Sequence, residues 1–267
     1  MTNPWIASLL VLFVWWFSTG AILWRVRHAD RAGGTAHQMS VFWGLPLLVG
    51  GIVGLGLTLD EATVAGTYAA FLSALALWGW IELAFLSGII TGPNTNPGSP
   101  HARGWDRFWQ ATLTLLWHEA LLIVALLLLA YAAWNAVNPF GLWTFAVLFF
   151  ARASAKLNLF LGVPRINTEF LPLPLRHLAS HFRFAKMNWL FPISVTLLTF
   201  AAACALERAL DAPTDAAQAG HILLSVLILL ALLEHWFMVL PLPDQKLWRW
   251  MLPDAPSASD PNLSARK

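Results

Sequence analysis

The stretch HILLSVLILLALLEHWFMVL, residues 221–240, decides the fold class of this chain. It contains no Gly, Pro, Lys or Arg, and its length matches the roughly 20 apolar residues that a helix needs to cross a bilayer. Because the bilayer core offers no water to the backbone, a spanning segment must satisfy its hydrogen bonds within a helix or a closed barrel. Barrel strands would alternate apolar and polar residues over roughly ten positions. The unbroken run therefore predicts a transmembrane helix.

The rest of the chain repeats this pattern. Of its 267 residues, 58% are hydrophobic and only 11% charged, with a mean hydropathy of +0.63, whereas a soluble domain is typically about 25% charged. Seven stretches are long and apolar enough to span a membrane: 5–24, 41–59, 63–90, 111–134, 140–163, 187–206 and 221–240. The second contains Pro46 and several glycines, which membrane helices tolerate. The sequence predicts an all-α, polytopic membrane protein with seven transmembrane helices.

The distribution of Lys and Arg predicts the orientation. Fifteen of the 16 basic residues lie in or beside alternate connections, after the first, third and fifth spans and in the C-terminal tail. The other side carries one, Arg208, together with the acidic residues Asp60, Glu61, Glu207, Asp211 and Asp215. Short basic loops stay in the cytoplasm. We therefore expect a periplasmic N-terminus and a cytoplasmic C-terminus in a bacterial inner membrane, either cytoplasmic or intracytoplasmic.

The chain divides into a seven-helix transmembrane domain, residues 1–252, and a flexible cytoplasmic tail, residues 253–267, whose composition is typical of disorder. The longest connection, residues 164–186, places Leu171, Leu175, Leu178 and Phe182 at helical spacing. This pattern fits an amphipathic helix near 171–184 that lies in the membrane interface. A helix packed on the bundle fits it equally.

Ionisable residues inside the predicted spans form the candidate site. They are Glu82, His118, Glu119, Arg152, Lys156, Glu234 and His235. Charge at a helix centre costs on the order of 2.5–3.5 kcal/mol, so such residues usually face the bundle interior and mark function. At 1.5 Å per residue, the three Glu and two His residues lie roughly 8–12 Å from the cytoplasmic surface. The sequence thus predicts one buried polar cluster delivered by four helices.

Three chemistries fit this cluster. Glu82, His118, Glu119, Glu234 and His235 are a reasonable ligand set for a transition metal, as in di-iron bundles, although adjacent residues diverge by about 100° on a helix. A single His could instead ligate the magnesium of a chlorophyll-type pigment or contact another tetrapyrrole. The third interpretation is an ion-pair network of the three Glu residues with Arg152 and Lys156, since buried charges are paired.

Other functional signals are missing from the sequence. It contains no Gly-rich phosphate loop, no GxSxG and no CxxC, and its single cysteine is Cys204. No catalytic residue is assigned, and the topology accounts for the basic residues without nucleic acid. Five tryptophans lie deep in the spans and could line a pocket for a flat ligand or serve ordinary helix packing: Trp15, Trp16, Trp78, Trp80 and Trp117.

Several stretches together resemble the PuhE-type photosynthetic complex assembly proteins of purple phototrophic bacteria. They run in order along nearly the whole chain: NPWIASLLVLFVWWFSTGAILW at 3–24, WGWIELAFLSGIITGPN at 78–94, LWHEALLI at 116–123, KLNLFLGVPRINTEFLP at 156–172, MNWLFPISVT at 187–196 and LEHWFMVLPLPDQKLWRW at 233–250. The resemblance implies an inner-membrane protein encoded among reaction-centre genes. It implies a role in assembling the reaction centre and its light-harvesting complex, or in modulating bacteriochlorophyll supply.

The expected partners are therefore the lipid bilayer and reaction-centre or light-harvesting subunits or pigment-synthesis enzymes. The expected mechanism is non-catalytic, with recognition of a tetrapyrrole or an assembling subunit. Two alternatives stay open. One is a membrane-embedded, metal-dependent enzyme that acts on pigment or isoprenoid, and the other is a transporter.

Overall fold

The computed structural model describes residues 3–242 and Leu247. The predicted tail at 253–267 lies outside them. The described elements are α1 (Pro4–Ala32), α2 (Ala36–Trp43), α3 (Leu45–Thr58), α4 (Val64–Leu86), α5 (Gly104–Thr112), α6 (Leu116–Ala132), α7 (Phe140–Leu161), α8 (Leu190–Leu210) and α9 (Asp215–Phe237), with 3-10 helices at Thr168–Phe170 and Leu173–His181. The predicted all-α class is confirmed.

Six helical segments are long and apolar enough to cross a membrane, with α2 and α3 counted together as one. The pair α5 and α6, bent by 70°, supplies a seventh. The predicted stretch 41–59 differs from the structure, because its segment begins at Ala36 and breaks at Gly44. Pro46 then lies in the first turn of α3, where its missing N–H costs no helical hydrogen bond.

Contacts between connections show how the helices alternate. The N–H of Asn138, after α6, donates to the carbonyl of Leu59, after α3, at 2.8 Å. The chain between them includes α4 and α6, so α6 returns the chain to the end from which α4 left. At the opposite end, the N–H of Leu173 donates to Asp30 Oδ1 at 3.0 Å. We call the end with Leu59 and Asn138 the acidic end, and the end with Asp30 and Leu173 the basic end.

Helix α4 lies at the centre of the bundle and contacts α1, α3, α7 and α9. The apolar segments of α4 and α9 are each half buried, whereas those of the other spans are mostly exposed and present wide apolar faces. Gly51 of α3 permits the close approach to α4, since a Cβ there would lie 2.7 Å from the backbone nitrogen of Leu77. Small residues commonly serve this purpose between membrane helices.

The long connection at the basic end packs against the bundle. Leu175 and Leu178 of the second 3-10 helix are buried with Phe85, near the end of α4. Arg107 of α5 fastens the same region by donating to the carbonyls of Phe160, at 2.7 Å, and His181, at 3.0 Å. The segment therefore covers the basic end of α4, one turn below Glu82.

Candidate functional site

Glu82 and Arg152 form the centre of the site. Glu82 lies on α4 and Arg152 on α7, and Arg152 Nη2 donates to Glu82 Oε2 at 3.4 Å. The Glu82 side chain is 10% exposed, but that of Arg152 is 42% exposed. The ion pair thus has one buried partner and one that meets an opening in the bundle.

The position of Arg152 on its helix indicates that it faces the bundle. Arg152 follows Phe145 by seven residues, which places both on one face of α7, and Phe145 is fully buried. Glu234 occupies an equivalent position on α9. It shares a face with Leu227 and Leu230, which are both buried, yet it is itself exposed. Both side chains therefore extend from the inward faces of their helices, and we infer a gap between them.

We call this gap the vestibule and define it by Trp15, Glu82, Arg152 and Glu234. Trp15 of α1 donates its indole N–H to Glu234 Oε1 at 2.8 Å. Glu234 also lies within electrostatic reach of Arg152. When all three ionisable groups are charged, two carboxylates face one guanidinium, and the vestibule carries one net negative charge. Lipid tails cannot solvate these groups, so the vestibule must hold water or a polar group.

His118 lies sealed behind Glu82. It is fully buried on α6, and its ring stacks on Phe85 with 4.2 Å between ring centroids. His118 Nε2 lies 3.9 Å from Glu82 Oε1, too far for a hydrogen bond. Within the described part of the chain, neither ring nitrogen of His118 nor Glu82 Oε1 has a hydrogen-bond partner. These buried polar atoms are available for a proton or a small polar ligand.

Glu119 and Lys156 form a second ion pair, and Lys156 lies within electrostatic reach of Glu82, Arg152 and His118. Lys156 Nζ lies 2.5 Å from Glu119 Oε1 and 5.6 Å from the centroid of the Phe85 ring. Because His118 and Glu119 are adjacent on a helix, they diverge and meet different neighbours. Phe85 lies between the two sets of groups and contacts both.

His235 lies in a third environment. The sequence predicted His235 but not the serines and asparagines around it. It is fully buried, its Nδ1–H donates to the Ala231 carbonyl at 2.8 Å, and its Nε2 lies 2.9 Å from Ser154 Oγ. The polar contacts continue through Ser194 and Asn158 to Asn188, across α7, α8 and the connection before α8. The available signal was Ser154 and Asn158, four residues apart on one face of α7.

Six of the seven predicted residues form a connected set of electrostatic contacts, and His235 has other neighbours. Glu82, Arg152 and Glu234 meet at the vestibule, His118 lies behind Glu82, Glu119 pairs with Lys156, and His235 joins the serines and asparagines. Among residues 3–242, no group of three or more His, Cys, Asp or Glu side chains is placed to hold a metal ion. Arg152 engages Oε2 of Glu82 and leaves Oε1 without a hydrogen bond to any residue that the structure describes.

A histidine that ligates a pigment must present a free ring nitrogen to the metal of the macrocycle. Both nitrogens of His235 are engaged, and His118 is covered on all sides. In this conformation, neither imidazole opens into the vestibule.

Comparison with known proteins extends along nearly the whole chain. The chain is similar to the uncharacterized 30.4 kDa protein in the puhA 5′ region of Rhodobacter capsulatus, with 62% identity over 261 residues, which cover 98% of this chain and 94% of the relative. No solved structure matches. The model of the family described as protein of unknown function, DUF3623, matches residues 1–259. The chain therefore belongs to the DUF3623 family.

Proposed function

We propose that this protein is an inner-membrane assembly factor for the bacterial photosynthetic apparatus, which supports formation of the reaction centre and its light-harvesting complex. The observation that carries the proposal is the relative with 62% identity, whose name places it in the puhA 5′ region. Its agreement with the resemblance to PuhE-type proteins supports a role connected with reaction-centre genes. Bacteriochlorophyll supply or delivery is the step that we assign to it.

The vestibule supports recognition as the mechanism. Arg152 and Glu234 are exposed within the apolar spans and lie within electrostatic reach of each other, and Glu234 accepts a hydrogen bond from the indole of Trp15. A guanidinium, a carboxylate and an aromatic ring together can bind the polar edge and the flat face of a macrocycle, or the polar side chains of a subunit helix. The Glu82–Arg152 ion pair would fix the orientation of the guanidinium toward such a partner.

Complementation of a deletion strain tests the proposal. We expect the deletion to lower or unbalance reaction-centre and light-harvesting complexes while non-photosynthetic growth stays normal. Wild-type protein and Glu207→Gln should restore the complexes, whereas Glu234→Gln and Arg152→Gln should not. Glu207 is the matched control, because it is an exposed carboxylate near the acidic end of α8. The amount of each variant in the membrane must equal that of wild type for the comparison to count.

Extracted pigments distinguish the alternatives. An assembly factor leaves the pigment pathway complete but its products poorly incorporated, whereas a metal-dependent enzyme makes one specific precursor accumulate. Unchanged complexes and pigments in the deletion strain would reject the photosynthetic role.

A further inference from the structure

A groove runs along the outside of the bundle, away from the vestibule. It has a volume of about 420 Å³, within the roughly 300–1,000 Å³ of small-molecule sites. Helices α3 and α6 form its walls, with exposed residues such as Ile52 and Leu128, and α4 and α7 form its floor, where Leu77 and Gly141 are buried. The groove is therefore open on the side of the bundle that faces lipid.

The groove offers a ligand almost no polar contact. The hydroxyl of Thr58 donates to the Gly54 carbonyl at 2.8 Å. The side-chain amide of Asn138 donates to the Glu61 carbonyl at 3.3 Å, and the indole N–H of Trp80 donates to the Val41 carbonyl at 3.1 Å. Polar groups of the lining are thus satisfied within the protein. The rest of the lining is apolar, so the ligand that fits it is a hydrocarbon chain.

The length of the groove matches an acyl chain from one leaflet of the bilayer. Its lining runs from Leu48 to Thr58 on α3 and from Leu121 to Ala132 on α6, or about 15–17 Å at 1.5 Å per residue. A bilayer core is about 30 Å thick, so each leaflet contributes about 15 Å. The groove therefore matches one extended acyl chain, entering from the acidic end, where Leu59 and Asn138 line its mouth.

Charges at the mouth indicate the headgroup. Asp60 and Glu61 are exposed on the turn that Asn138 fastens through Leu59 and Glu61. Two carboxylates at this level attract an ammonium group and repel a headgroup with net negative charge. Phospholipids with a primary amine carry an ammonium group, whereas the headgroup of phosphatidylglycerol has a net negative charge.

We propose that this groove binds one acyl chain of phosphatidylethanolamine from the leaflet at the acidic end, with its ammonium group beside Asp60 and Glu61. The site is separate from the vestibule, and the proposal does not depend on the assembly role. The bound chain fills the space that α3 and α6 leave above α4, so the lipid is part of the packed bundle.

Two glycines of α3 provide a matched test. A Cβ at Gly56 or at Gly50 meets no atom within 4 Å, and both residues are exposed, but only Gly56 lines the groove. Gly56→Phe therefore fills the groove, whereas Gly50→Phe adds the same ring to the outer face of the same helix. Ala132→Phe fills the groove from α6 and guards against a local fault in α3.

Full-length protein is purified from membranes, exchanged into lipid-free detergent, and its retained phospholipid is measured by mass spectrometry. Wild type and Gly50→Phe should keep about one phosphatidylethanolamine per chain. Gly56→Phe and Ala132→Phe should keep about ten-fold less. Equal retention by all four proteins would reveal ordinary boundary lipid only and overturn the proposal, as would no retention by wild type.

The headgroup is tested in nanodiscs that contain equal amounts of phosphatidylethanolamine and phosphatidylglycerol. The wild type should enrich phosphatidylethanolamine after transfer to detergent, and the double variant Asp60→Asn, Glu61→Gln should lose that preference. Enrichment of phosphatidylglycerol by wild type, or an unchanged preference in the double variant, would overturn the assignment of the headgroup.

Discussion

The carboxylate of Glu82 and the guanidinium of Arg152 lie 3.4 Å apart on α4 and α7, with Glu82 buried and Arg152 nearly half exposed in the vestibule. Glu82→Leu should destabilise the protein by less than the about 3–5 kcal/mol of a fully buried pair, because solvent and Glu234 still face Arg152. The double variant Glu82→Leu, Arg152→Leu should lose less than the sum of the single variants. Thermal unfolding in detergent measures all three. Strict additivity would show that the two groups do not interact.

The orientation of the protein is a second prediction. The split of fifteen basic residues to one predicted side and Arg208 to the other motivates it. Reporter fusions at Ala32, Gly98 and Leu173 should be cytoplasmic, as should a fusion at Ser257 in the tail. Fusions at Asp60, Asn138 and Asp215 should be periplasmic. A periplasmic signal at Leu173 would contradict the model of seven spans, because Leu173 is bonded to Asp30 beside the first basic loop.

The two buried histidines should respond differently to replacement by Leu. His235→Leu removes contacts to Ser154 and to Ala231 and should cost about 1–3 kcal/mol. His118→Leu should be close to neutral, since it removes polar atoms that have no hydrogen-bond partner within the described residues. Unfolding temperatures of the two variants in one detergent measure the difference. A larger loss for His118→Leu would show that its ring nitrogens are bonded in the membrane.

The covering segment at the basic end should loosen in acid. Burial, followed by the charge of nearby His181, lowers the pKa of His177 from its ordinary value of 6.5. Folded protein therefore binds this proton more weakly than unfolded protein. Its contribution to stability is complete above pH 6.5 and is lost as the pH falls through 6.5 toward the lowered pKa. Hydrogen exchange in residues 173–181, corrected for the intrinsic effect of pH, should quicken below pH 6.5.

His177→Gln should remove this acid response, and His101→Gln, on the exposed connection before α5, should leave it intact. Equal acid responses in both variants would place the titrating group elsewhere in the segment.

The membrane spans could be read from sequence because each carries its own apolar run, and burial in lipid needs no knowledge of neighbours. Pro46 signalled a break in the second span, but the sequence did not show that Gly44 lies against Leu83 and Trp80 of α4, which would crowd a side chain there. Depth likewise predicted that Glu82 and Arg152 would meet. It could not show that Trp15 binds Glu234, because that contact joins residues 219 positions apart. His118 and His235 were grouped on depth alone, and the sequence could not show their different neighbours, which are Phe85 for His118 and Ser154 for His235.

Phe85 contacts two very different neighbourhoods. One side of its ring rests on the imidazole of His118, and the other packs with Leu175 and Leu178 of the segment that covers the basic end. A protein that displaced this segment would therefore also displace Phe85, which packs against His118. Phe85 therefore couples the packing of the covering segment to that of the buried imidazole.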